Sequence, residues 1–268
     1  MKVQDVIDRV LEKSCGGRKL EQTTDVLVSG NPGMEVTGIV TTFMATVDVV
    51  REAIAIGANL IITHEPTYFT AADKVEWLEN DPIYLAKKKL IEDNGIVIWR
   101  FHDYMHMAKS DLIYDGLIRE LGWENKRLDP SSPWSYIIEP TTVGELTEFF
   151  KSKLDMNNVR IVGKPDSACS RIGILVGGGS LGLGREEMPM ELMRDKDLDV
   201  MICGDITEWT LCAYVNDASM LGMNKAMIVV GHERSEESGM KYLVEWLLPI
   251  VEGVPLTFID AKEPFFYI

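Results

Sequence analysis

The sequence predicts an α/β protein built as two layered lobes, each a sheet flanked by helices. Three observations predict it. Apolar runs of strand length alternate with amphipathic stretches of helix length over the first 121 residues, with short connections. A polar, proline-rich segment from Glu124 to Trp134 then interrupts the alternation. After it the strand–helix rhythm restarts and continues to Ile259. The lobes are expected at 1–124, completed by 229–268, and at 125–228.

Val3, Val6, Ile7, Val10 and Leu11 fall at helical spacing among charges, so the chain opens on an amphipathic helix and not on a signal peptide. Val36 to Phe43 reads as a strand. Thr46 can cap a helix from Val47 to Ile56, Gly57 closes it, and Asn59 to Thr63 is the next strand. This βαβ unit predicts two parallel strands. Asn80 as N-cap and Pro82 as an early helical residue start a helix over Asp81–Glu92. Strand Ile96–Phe101 and a helix from Ser110 or Asp111 to Leu121 follow.

In the second half Tyr136–Glu139 reads as a strand. Thr142 and Glu145 form a capping box for a helix to Leu154. Strands follow at Val159–Val162 and Arg171–Val176. A glycine loop, Gly177–Gly184, leads to a helix at Arg185–Lys196. Asp199–Cys203 is a strand, Thr207–Leu221 a helix and Lys225–Val230 a strand. The last helix is expected at Glu236–Ile250 and the last strand at Leu256–Ile259.

A net charge of −15 argues against a nucleic-acid backbone or an anionic membrane as main partner, because both select basic surfaces. A cation or a small-molecule ligand fits better. No apolar stretch approaches the ~20 residues of a membrane helix. Four cysteines without a Cys-x-x-Cys pair point to reduced thiols, and the expected location is cytoplasmic.

The chemistry concentrates at strand ends. The chain has only four histidines. His64 ends Ala58–Thr63 and is followed by Glu65 and Pro66; His102 and His106 follow Gly95–Phe101; His232 follows Ala226–Gly231. Ligands collect at the carboxyl edge of open α/β sheets. Taken singly, a histidine after a strand is ordinarily a hydrogen-bonded loop residue. Jointly the three sites point to a metal centre with nitrogen and oxygen donors and no thiolate, suited to Zn, Mn, Fe, Co or Ni. The donors on offer are His64 with Glu65; His102, Asp103 and His106; and His232 with Glu236. More than four donors imply two ions, about 3.5–4 Å apart in such centres. Gly177-Gly178-Gly179-Ser180-Leu181-Gly182 also satisfies a dinucleotide-cradle pattern, but a tight turn with close backbone packing explains it better.

With these residues assembled, the chain resembles the Nif-three-like family (NGG-interacting-factor-three-like dinuclear metal centre proteins, also labelled GTP cyclohydrolase type-2 homologues) over nearly its whole length. The resemblance runs through His64-Glu65-Pro66, His102 to His106, the glycine-serine loop, Cys203-Gly204-Asp205, and Gly231-His232 with Glu236. Two positions depart from the family pattern. Glu65 stands where the family has a second histidine, and His106 where it has an aspartate. The exchanges are complementary and keep three imidazoles and two carboxylates.

The resemblance implies metal ligands His64, Glu65, His106, His232 and Glu236, with Asp103 in reserve and His102 orienting a ligand. It implies two lobes with two divalent ions in the cleft between them, and a homohexamer assembled from dimers. The function this suggests is a metal-dependent hydrolase acting through a metal-activated water on a small nucleotide-like or phosphate-bearing substrate. Glu233 and His102 are then the candidates for proton transfer. The alternative is a non-catalytic metal-binding regulatory or scaffold protein.

Overall fold

In the computed structural model, which describes residues 1–268, two five-stranded sheets are each flanked by helices. The first elements are α1 (Val3–Cys15), β1 (Leu27–Ser29), β2 (Ile39–Thr42), α2 (Val47–Ala55), β3 (Leu60–Thr63), α3 (Pro82–Asp93), β4 (Val97–Arg100), α4 (Asp103–His106) and α5 (Leu112–Leu121). Then come β5 (Ser135–Thr142), α6 (Val143–Lys153), β6 (Arg160–Val162), β7 (Ala168–Leu175), α7 (Met188–Asp195), β8 (Val200–Cys203), α8 (Ala213–Met220), β9 (Ala226–Val229), α9 (His232–Leu247) and β10 (Leu256–Phe258). Contacts divide the chain into one unit of Met1–Gly116 with Gly239–Lys262 and another of Leu117–Ser238 with Glu263–Ile268. No helix is long and apolar enough to cross a membrane.

The first unit's sheet has the order β1-β4-β3-β2-β10. β10, β2, β3 and β4 are parallel, and β1 joins one edge antiparallel to β4. Every residue of β2, β3 and β4 is buried, as expected of central parallel strands covered on both faces. Val40, Ile61 and Ile98 point to one face, where Val49, Val50 and Ala53 of α2 and Tyr84 and Ile91 of α3 pack on them. Burying each such aliphatic side chain contributes roughly 1.5–3 kcal/mol. Thr46 caps α2 through its hydroxyl, which accepts from Val49 N at 3.2 Å.

The second unit's sheet has the order β5-β7-β8-β9-β6, with β7, β8 and β9 parallel and both edge strands antiparallel. Met201, Cys203, Met227 and Val229 pack against Met193 of α7 and Val215 of α8. Trp123, Tyr136, Phe149 and Phe150 form an aromatic cluster with ring centroids 5.7 to 5.8 Å apart. The capping box of Thr142 and Glu145 is present.

Four expectations need correction. Asp81, not Asn80, caps α3, because its carboxylate accepts from both Ile83 N and Tyr84 N. The helix expected over Thr207–Leu221 is broken: Glu208–Cys212 forms a wide π turn with Thr210 outside helical geometry, and only Ala213–Met220 is α-helical. The last helix begins four residues earlier than expected, at His232. The glycine loop is a 3-10 turn, Gly177–Leu181, and the helix after it starts at Met188.

Candidate metal centre

In the first unit β3 stops at Thr63 because the next two N–H groups, of His64 and Glu65, turn to donate to the Phe43 carbonyl at 3.1 and 2.8 Å. This seats His64 directly past the strand, fully buried. β4 ends at Arg100, and the single turn α4 carries His102 at its cap, then Asp103 and His106. Four residues make a poor helix alone. The Asp25 carboxylate holds this one by accepting from the N–H groups of His102, Asp103 and Tyr104 at 2.9, 2.7 and 3.0 Å. Those are donors that a helix start otherwise leaves without partners. Burial raises the Asp25 carboxyl above its ordinary range despite these three bonds.

The rings of His64, His102 and His106 converge. His64 stacks on His102 with centroids 4.4 Å apart, and His106 meets both edge-on at 5.0 Å. One ring nitrogen from each lies within 4.8 Å of the other two. His102 Nδ1 is 2.8 Å from Asp103 Oδ1, and His106 Nδ1 is 2.9 Å from Asp111 Oδ2. A carboxylate at Nδ1 fixes the proton there and turns Nε2 outward as a donor atom, the arrangement usual for metal-binding histidines. Partial burial disfavours the charge on Asp103. Hydrogen bonds from Thr24 N–H, His102 and the Thr23 hydroxyl outweigh it and hold the carboxyl below its ordinary range.

Glu65 extends the set. Its Oε1 is 3.6 Å from His102 Nε2, and its Oε2 is 3.3 Å from Arg100 Nη2. In a tetrahedral site with bonds near 2.0–2.1 Å, neighbouring ligand atoms lie about 3.4 Å apart. The spacing of His102 and Glu65 therefore suits a divalent ion, as does a donor set of imidazoles and carboxylate.

In the second unit Gly231, at φ +91°, turns the chain after β9 so that His232 opens α9. His232 and Glu236 then share the first turn of the helix, with Nε2 and Oε2 3.2 Å apart. His232 Nδ1 lies 2.8 Å from Asp205 Oδ2, and that bond lowers the Asp205 carboxyl below its ordinary range against partial burial. Gly177 packs its backbone directly over the pair. A Cβ there would lie 1.9 Å from Glu236 Oε1 and 2.7 Å from His232 Nε2. Gly177 N–H also donates to the Ser235 hydroxyl at 2.9 Å. Close packing accounts for two glycines of this turn, Gly177 and also Gly182, whose Cβ would run into the Arg185 carbonyl, while Gly178 and Gly179 face open space. Glu233 is buried beside Arg234, whose Nε is 3.2 Å away.

The sequence-derived residues thus fall into two groups. His64, Glu65, His102, Asp103 and His106 come together in the first unit, and His232 with Glu236 in the second. His102 stands within the imidazole cluster itself, and Asp103 is engaged by His102 and by Thr23 and Thr24. Sequence reasoning missed Asp25, Arg100 and Asp111. Only Asp111 carried a local signal, as a helix cap five residues after His106.

The Duf34/NIF3 (NGG1p interacting factor 3) family model matches residues 1–264. A Clostridium perfringens protein named GTP cyclohydrolase 1 type 2 homolog is 26% identical over 281 aligned positions, covering all of both chains. A Bacillus cereus protein related to NIF3 superposes with a TM-score of 0.75 at 16% identity, covering 100% of this chain and 99% of that one. A Staphylococcus aureus hypothetical protein superposes with a TM-score of 0.72 at 21% identity and the same coverage. At such identities the two structures establish the shared fold, and the match over residues 1–264 establishes more: the chain belongs to the Duf34/NIF3 family.

Proposed function

We propose that the chain is a divalent-metal-dependent, hydrolase-like protein with a dinuclear centre, acting on a small nucleotide-like or phosphate-bearing substrate. The observation that carries this reading is the convergence of the His64, His102 and His106 ring nitrogens within 4.8 Å, two of the rings backed by carboxylates. His64, Glu65 and His106, joined by His102, are the donors of one ion, and His232 and Glu236 contribute to the second. These donors would hold a divalent ion, and the chemistry it would supply there is Lewis acidity for a hydrolytic reaction. Asp103 and Asp111 keep the Nδ1 atoms of their histidines occupied, and Asp205 does the same for His232. With His102 counted among the donors, Glu233 is the candidate for proton transfer. The substrate class rests on the GTP cyclohydrolase name carried by the curated relatives. The four cysteines are free, in keeping with a reducing, cytoplasmic setting.

The test is metal content per chain, measured on the wild type and on His64→Ala and His232→Ala purified without chelator. Two transition-metal ions in the wild type, with at least one lost in each variant, support the dinuclear reading. No metal after reconstitution overturns it.

A second reading, a non-catalytic metal-binding scaffold, draws on the burial of His64 and Glu236, at 0% and 3% exposure. Ions on such buried donors would stabilise the fold or a homohexamer. Metal removal that dissolves the oligomer, without turnover on a panel of phosphoesters and cyclic amides, favours the scaffold. A stable oligomer in the metal-free protein counts against it.

A further inference from the structure

Arg100 ends β4 with its side chain only 4% exposed, an unusual place for a guanidinium. Three of its nitrogens have named partners. Nε donates to the His64 carbonyl at 3.1 Å, Nη1 to the Ala71 carbonyl at 2.5 Å and Nη2 to Glu65 Oε2 at 3.3 Å. One buried cation therefore grips both the backbone of His64 and the carboxylate of the residue after it. Glu65 Oε1 is left on the side of His102 Nε2, 3.6 Å away.

We propose that Arg100 is a positioning residue that presents Glu65 to the metal as a one-oxygen donor. The inference rests on the metal-centre reading above and goes beyond it by naming what sets the geometry and net charge of the carboxylate ligand. A free glutamate can bind an ion through both oxygens and carries its full negative charge to the site. With Oε2 held by the guanidinium, Oε1 is the oxygen that faces His102, and part of the charge is neutralised from behind. Imidazoles and one charge-reduced carboxylate oxygen would then be the donors offered to an ion at this site.

A loop clamp alone would be a simpler role for Arg100, but the loop after Glu65 has other anchors. Lys87 Nζ donates to the Thr67 carbonyl at 2.6 Å, and Asp73 accepts from Tyr68 N–H at 2.5 Å. The contact to Glu65 is not needed for that purpose.

The experiment is a double-mutant cycle on the full chain, read by Co(II) affinity in chelator competition and by the visible Co(II) spectrum. The variants are Arg100→Lys, Glu65→Gln and the double substitution. Wild type is expected to bind Co(II). R100K is expected to weaken binding at least tenfold and shift the visible bands, since a single ammonium lacks the planar fork that here spans two carbonyls and a carboxylate. In the E65Q background R100K is expected to cost less than twofold. Equal losses from R100K with and without E65Q, or a loss under twofold in R100K alone, overturn the positioning role and leave the metal centre standing. A wild type that takes up no Co(II) overturns both. Should R100K not fold, the infrared carboxylate stretches that Glu65 contributes, taken as the difference between Co(II)-loaded wild type and E65Q, decide: the wide splitting of a one-oxygen carboxylate ligand supports the proposal, and the narrow splitting of a two-oxygen ligand overturns it.

Discussion

His106 Nδ1 lies 2.9 Å from Asp111 Oδ2, while Oδ1 of the same carboxylate accepts from Ile113 N and Tyr114 N at 3.0 and 3.2 Å. One side chain thus orients a candidate ligand and caps the helix after it. The two roles can be separated. Asp111→Asn keeps a capping oxygen and loses the charge behind His106, so metal affinity should fall about 10- to 100-fold with little change in Tm. Asp111→Ala should lose the affinity and also about 1 kcal/mol of stability. Chelator competition and thermal melts on both variants check this.

Gly177→Ala should be far more damaging than a surface glycine replacement. Its φ of +49° is already unfavourable for alanine, and the new methyl group would overlap the Glu236 carboxylate. A loss of more than about 2 kcal/mol is expected, together with loss of metal at the His232–Glu236 pair. Denaturant unfolding and metal analysis read the two effects.

Lys87 gives the protein a specific alkaline signature. Burial lowers its amine from 10.5 to about 8, with Asp73 opposing the shift. Between those values the unfolded chain holds a proton that the folded chain has released, so stability attributable to this residue rises with pH. Below about pH 8 both states are protonated and the burial penalty is present in full. The rise from about pH 8 to 10.5 should be on the order of 3 kcal/mol. Lys87→Met should abolish that component, and the difference between the two proteins' unfolding free energies across this range measures it.

Asp25→Ala should unseat α4. It removes the acceptor for three N–H groups at once, and His102 and His106 depend on that turn for their place. A cost of at least about 2 kcal/mol and weaker metal binding are expected. Amide exchange at His102, Asp103 and Tyr104 should rise toward the rate of exposed loop residues.

These residues also show how far the sequence could be read. The βαβ unit from β2 to β3 was legible because period, cap and closing glycine agree, and the buried strands announce themselves as unbroken apolar runs. The Thr142–Glu145 box was legible because capping is local. The four histidines were legible as a set because each follows such a run. What could not be read depends on partners distant in the chain. β1 is three residues long and exists by pairing with β4. α4 is a helix only because Asp25, 77 to 79 residues away in sequence, binds its N–H groups. Arg100 read only as one residue of the strand Ile96–Phe101; its buried partners, His64, Glu65 and Ala71, lie 29 to 36 residues away. The start of α9 was misplaced because its first turn is polar, and tertiary contacts, not apolar periodicity, define it.

The position of β10 has a consequence for how the protein is made. β10 supplies the edge strand beside β2, and Thr41 of β2 donates its hydroxyl to the Met240 carbonyl at 2.8 Å. Both partners come from beyond residue 238, after the whole intervening unit. About 155 residues separate the end of β4 from β10, an interval of roughly 8–30 s at ordinary ribosomal rates. During that interval the nascent sheet carrying His64, His102 and His106 stands one strand short, with the edge of β2 open. The intervening segment, by contrast, has all five of its own strands by Val229 and can close first. The histidine cluster therefore sits on a unit whose synthesis begins before the intervening one and whose fold is completed after it.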